Sequence, residues 1–117
     1  MTKQEILRIL DRILDPDLRD RSIVEMGFVG EDDIEVGDEE IQVSYTVGGP
    51  LCPYSAAVGI IIHHTLSRAY QKKIKVRMKK GHYQQELVNQ ILEDEQQFNE
   101  WFEKIKARNL LSVCLRE

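Results

Sequence analysis

The run Ala56-Ala57-Val58-Gly59-Ile60-Ile61-Ile62 is the strongest constraint in the chain, because it offers a helix no polar side to turn toward water. A helix apolar over most of its circumference has to sit inside a fold. The stretch from about Pro53 to Ala69 is therefore expected to be the central core helix. The segments around it have a different period. Ile41, Val43, Tyr45 and Val47 alternate with Gln42, Ser44 and Thr46, and Ile74, Val76 and Met78 alternate with Lys73, Lys75, Arg77 and Lys79. Alternation predicts strands with one buried face, the second reaching Lys80. A shorter alternation, Ile34 and Val36, ends at Gly37-Asp38 and predicts a hairpin with the strand that follows.

At the start, Thr2 and Glu5 have capping-box spacing, and Ile6, Leu7, Leu10, Ile13 and Leu14 recur at helical spacing until Asp15-Pro16 stops them. Residues 15–20 read as a loop, and Ser22–Val29 as a short apolar segment with a turn at Gly27. Beyond Gly81-His82, the positions Leu87, Val88, Ile91, Leu92, Phe98, Trp101, Phe102 and Ile105 predict one long helix or two short ones broken near Glu95. Residues 110–117 alternate at Leu111, Val113 and Leu115, a run too short to assign. The order α-β-β-α-β-α gives a two-layer α+β domain. It has a small mixed or antiparallel sheet of about three strands, with helices on one face. The other face, carrying Gln42, Ser44, Thr46 and the basic row, is open to a partner. All of 1–117 is expected to be one domain, with a helical C-terminal extension from about residue 83.

A chain of 117 residues, 42% hydrophobic and 31% charged, can bury a core without cross-links. No apolar run approaches the ~20 residues of a membrane span, and Met1-Thr2-Lys3-Gln4-Glu5 reads as a helix start rather than a signal peptide. Two cysteines, Cys52 and Cys114, make no disulfide framework, which suits a reducing cytoplasm. The net charge of −4 argues against a dedicated nucleic-acid binder. Charge is nonetheless polarised, with seven acidic residues in Glu31–Glu40 and seven basic ones in Arg68–Lys80.

Cys52 is the centre of any chemistry. It lies in Gly48-Gly49-Pro50-Leu51-Cys52-Pro53, between a strand and the core helix. At a helix entrance a thiol meets unpaired N–H groups and the positive end of the helix dipole, and both favour thiolate. The alternative is a small buried hydrophobe. A cysteine nucleophile needs a base within hydrogen-bond reach. His63 and His64 stand roughly 16–18 Å further along the same helix, and His82 reads as a loop histidine. Stable metal or cluster binding wants about four ligands, and the chain has no Cys-x-x-Cys pair. That shortage favours transient or dimer-bridged ligation over permanent possession. Asp15 and Asp17 flank Pro16, either as turn formers or as polar groups beside Cys52. The row Lys73, Lys75, Arg77 and Lys79 reads as a solvated strand face or as a partner surface.

Together these segments resemble a known family. Ile13-Leu14-Asp15-Pro16-Asp17-Leu18, Ser22-Ile23-Val24-Glu25-Met26-Gly27-Phe28-Val29 and Leu51-Cys52-Pro53 stand in the order and at the spacing of the iron–sulfur cluster assembly domain family. That family includes SufT-type and PaaD-like bacterial proteins and a eukaryotic cytosolic iron–sulfur targeting factor. Gly81-His82-Tyr83 and Val88–Glu95 are similar to the C-terminal extension of the eukaryotic type. Asp17 stands where the family usually has glutamate, and Gly48-Gly49-Pro50-Leu51 replaces a Ser/Thr-containing approach to the cysteine. The resemblance implies a non-enzymatic factor that matures or delivers clusters to apo-proteins. Cys52 would then be a transient ligand for a cluster or iron, with Asp15 or Asp17 as the loop carboxylate. Its partners would be apo iron–sulfur proteins and other assembly factors, and a homodimer, which doubles the thiols, stays open. Two alternatives remain: an accessory subunit or thiol-dependent enzyme of a PaaD-like pathway, or an interaction module whose cysteine is inert.

Overall fold

Residues 2–14, 21–47, 55–80 and 85–108 are described by the computed structural model of the chain. Thr2 starts helix α1 (Lys3–Leu10), its hydroxyl accepting the Glu5 backbone N–H at 3.2 Å. The helix buries Ile6 and Leu10 and is capped at Asp11. It is therefore a turn shorter than the apolar spacing suggests. Ile13 is fully buried all the same, because a tight turn (Ile13 N–H to Leu10 C=O, 3.0 Å) carries it inward. Leu14 then pairs antiparallel with Ser22, and Ile23 N–H reaches Ile13 C=O at 2.9 Å.

A 3₁₀ turn at Glu31–Asp33 leads into β1 (Ile34–Val36), which pairs antiparallel with β2 (Glu40–Tyr45) in the register Ile34↔Val43 and Val36↔Ile41. Gly37 N–H to Glu40 C=O, 2.8 Å, closes the hairpin expected there. The core helix is α2 (Ser55–Ala69), and its crossover brings β3 (Lys73–Met78) parallel to β2, with Ile41↔Ile74, Val43↔Val76 and Tyr45↔Met78 as partners. The sheet order is β1-β2-β3 and the sheet is mixed. β3 stops at Met78 rather than Lys80; Lys79 N–H to Tyr45 C=O, 2.7 Å, is its last rung.

Every residue of α2 from Ser55 to Ile62 is buried, as its all-round apolar character requires. The helix lies against the sheet face made by Ile41, Val43, Tyr45, Ile74, Val76 and Met78. Closest approach is at Gly59: a Cβ there would lie 2.5 Å from the Tyr45 hydroxyl oxygen and 2.8 Å from Cε1. Only a residue without a side chain lets that ring rest on the helix backbone. The remaining helices, α3 (Gln85–Glu93) and α4 (Glu95–Ala107), are divided at Asp94, whose side chain accepts Gln97 N–H at 3.0 Å. The predicted break near Glu95 is thus an N-cap. Helix α3 lies along the outer edge of β3, where Asn89 Oδ1 accepts the outward Met78 N–H at 2.7 Å. Four helices and three strands among the described residues make a small α+β fold. The expected helix start at Pro53 and residues 110–117 lie outside the described residues.

Candidate functional site

Cys52, Asp15 and Asp17, the residues singled out for metal or cluster contact, lie outside the described residues, as do His82 and Cys114. The flanks of their segments are described, and they are knit together. Segment 15–20 joins Leu14 to Arg21, next to the Leu14–Ser22 bridge. Ser22 is fully buried; its hydroxyl donates to Asp11 Oδ1 and accepts Glu25 N–H at 3.0 Å, while Ser22 N–H meets Glu25 Oε1 at 3.3 Å. The Ser22-Ile23-Val24-Glu25 box starts a turn that returns through Phe28 N–H to Ile23 C=O, 2.9 Å, with Gly27 at φ 77°. Phe28 C=O then accepts Thr46 N–H at 3.0 Å, at the end of β2.

Segment 48–54 joins Val47 to Ser55, and its far flank is tied to the strand as well. The buried Tyr45 hydroxyl donates to Ser55 C=O at 2.6 Å, fixing the first described residue of α2 against β2. A continuous ladder therefore runs from Ile13 through Ile23, Phe28 and Thr46, with the Tyr45–Ser55 bond beside it. It joins the flanks of the Asp-Pro segment to those of the Cys-Pro segment. Ser22 opens one of the motif segments, though its hydrogen bonds to Asp11 and Glu25 are not expected from the motif, and Tyr45 and Ser55 read in the sequence only as members of a strand and a helix. The Ser-x-x-Glu spacing was a legible signal for Ser22; the Tyr45–Gly59 pairing crosses two elements and left none.

The histidines of α2 are engaged elsewhere. His63 stacks edge-on with Phe98 of α4 (ring centroids 4.9 Å apart) and sits 3.3 Å from the Ser67 hydroxyl through Nδ1. His64 meets the Phe102 ring at 5.2 Å. Burial holds both below the ordinary histidine pKa. The charge of His64 lowers His63 further, and Arg68 and Lys106 lower His64. Among the described residues no three His, Cys, Asp or Glu side chains gather as a metal set.

The basic row is not uniform. Lys73, Lys75 and Arg77 project from β3 with exposed side chains, while Ile74, Val76 and Met78 point inward. Arg77 Nε is 3.5 Å from Glu93, and Lys79 Nζ is 2.6 Å from Asp33 of the acidic segment. Two of the four cations thus have carboxylate partners from distant elements. Lys73 and Lys75 have none among the described residues. No protein-family model matches the chain, and no curated protein sequence matches it either. No helix described is long and apolar enough to cross a membrane.

Proposed function

We propose that this chain is an iron–sulfur cluster assembly or targeting factor. In this reading it helps mature or deliver clusters to apo-proteins, as a non-enzymatic adaptor or transient carrier acting through Cys52. The observation that supports the reading is the hydrogen-bonded ladder joining the described flanks of the two motif segments. The family-like motifs are far apart in sequence, and backbone hydrogen bonds in series link their described flanks. A cysteine between a strand and a core helix suits brief metal contact, and a shortage of further ligands suits handing a cluster on. The cluster or iron is cargo in this scheme, and a reducing cytoplasm is the compartment that a chain with only two cysteines fits.

The test is anaerobic reconstitution with iron and sulfide, followed by visible absorbance, then incubation with an apo iron–sulfur protein. Wild type should develop cluster absorbance and pass it to the apo-protein, while Cys52→Ser should lose most of both. Equal behaviour of the two proteins would end the case for ligation through Cys52. Apo iron–sulfur proteins should co-purify with the chain from its native cell.

A further inference from the structure

One face of the sheet is buried under α2, and strand register fixes what the other face carries. Ile34, Ile41, Val43, Ile74 and Val76 point to the core, so Glu35, Gln42 and Lys75 point away from it. Glu35 pairs with Gln42 and Gln42 with Lys75, which sets the three in one row across the strands, all of them exposed. One step further along the register, Asp33 comes beside Ser44, the partner of Arg77. Carboxylates therefore mark the β1 side of this face and cations the β3 side, with the uncharged Gln42 and Ser44 between them. The row beyond Gln42 is Glu40 beside Lys73, and it brings its own counter-charge.

At one end the acidic and basic sides meet within the chain, where Lys79 Nζ lies 2.6 Å from Asp33. The middle row has no such closure. Two strand spacings, about 10 Å, separate the backbones at Glu35 and Lys75, and among the described residues no ion pair joins them. A row that reads minus, neutral, plus is complementary to its own reverse. A two-fold axis running along β2 lays a second copy face to face so that Glu35 meets the partner's Lys75, Gln42 meets the partner's Gln42, and Lys75 meets the partner's Glu35. A two-fold axis across the strands would instead set β3 on β3 and β1 on β1, stacking like charges. Charge thus selects one arrangement, with β2 over β2 and the sheets aligned to within about 30°.

We infer that the outer sheet face is a contact between two copies of this chain, closed by two reciprocal Glu35–Lys75 pairs about a two-fold axis along β2. Three strands make a face only about 15 Å across, less than a permanent interface needs, so the dimer is weak and transient. The contact requires neither Cys52 nor a cluster, so it and the proposed cluster handling stand or fall separately.

The test is a dilution series of the full chain, from about 1 mM downward, where weak complexes populate, followed by sedimentation velocity and amide NMR. Reductant is present throughout, so that disulfide-linked pairs do not contribute. Resonances of Glu35, Gln42 and Lys75 should shift with concentration while those of α2 stay fixed. Glu35→Lys and Lys75→Glu each turn both reciprocal pairs into like-charge contacts, and each should weaken self-association by about tenfold or more, with circular dichroism unchanged. Mixing the two variants restores opposite charges at both contacts, so the mixture should associate about as well as wild type. That recovery also shows that each single variant is folded. The inference is overturned if wild type stays monomeric at about 1 mM, if either single variant associates like wild type, or if the mixture fails to recover. A dimer indifferent to these charges would be built on some other surface.

Discussion

Gly59→Ala puts two well-measured effects in opposition. On propensity alone, alanine in a helix interior is worth about 1 kcal/mol over glycine. At Gly59 the new methyl would lie 2.5 Å from the Tyr45 oxygen, 2.8 Å from Cε1 and 2.9 Å from Cζ, where carbon contacts normally stand at roughly 3.5–4.0 Å. Tyr45 is fully buried, so the ring has no free space to retreat into, and any shift strains its bond to Ser55 C=O. Overpacking of this kind costs about 1–3 kcal/mol, and loss of the buried hydrogen bond adds about 1 kcal/mol. The net expectation is destabilisation by about 1–3 kcal/mol, measured by urea unfolding followed by circular dichroism with an unchanged m-value. Tyr45→Phe alone should cost about 1 kcal/mol through loss of the buried bond to Ser55 C=O. Because it deletes the most crowded atom, the double variant should be more stable than the two single losses predict, by about 0.5–1 kcal/mol. A neutral or stabilising Gly59→Ala would refute the seating of the ring on α2, and with it the anchor of the α2 entrance.

Asn89→Ala should cost about 1–3 kcal/mol, since it strands the buried Met78 N–H beside an apolar core; a loss below a few tenths of that in urea unfolding would show that water takes the place of the amide. The histidine pair predicts an acid-sensitive fold. In the unfolded chain His63 and His64 titrate near 6.5, and folding lowers both, so the unfolded state binds more protons on acidification. Stability is therefore complete above the unfolded value and falls as pH drops from about 7.5 toward 5.5. His63→Gln should flatten that slope in a thermal-melt series, whereas an unchanged slope would place its origin elsewhere.

Period and composition carried most of the fold. Alternation along Gln42–Tyr45 and Lys73–Met78, and the all-round apolar run of α2, are direct readouts of which faces are buried. Helix α1 ends before the apolar spacing does because Ile13 keeps helical spacing while being buried by a turn instead; period reports burial, and here two backbone paths satisfy it. The parallel sense of β3 was left open, since a mixed and an antiparallel sheet share the same alternation. The basic row looked uniform in sequence because Glu93 and Asp33, which neutralise Arg77 and Lys79, come from elements remote along the chain. Side-chain plugs such as Asn89 leave no periodic trace. Within the candidate site, the motif order was legible from residues alone. The ladder from Ile13 to Thr46 was not, because three of its bonds are between backbone groups, which any residue carries.

Alkylation of Cys52 is the sharpest measurement, made on a Cys114→Ser background at neutral pH and compared between the native chain and the chain unfolded in urea. A thiol presented at the entrance of α2 should react faster in the native protein than in the unfolded one. Slower reaction in the native protein would mean a sulfur shielded by the core, and a chain that handles clusters, if it does, by some other group.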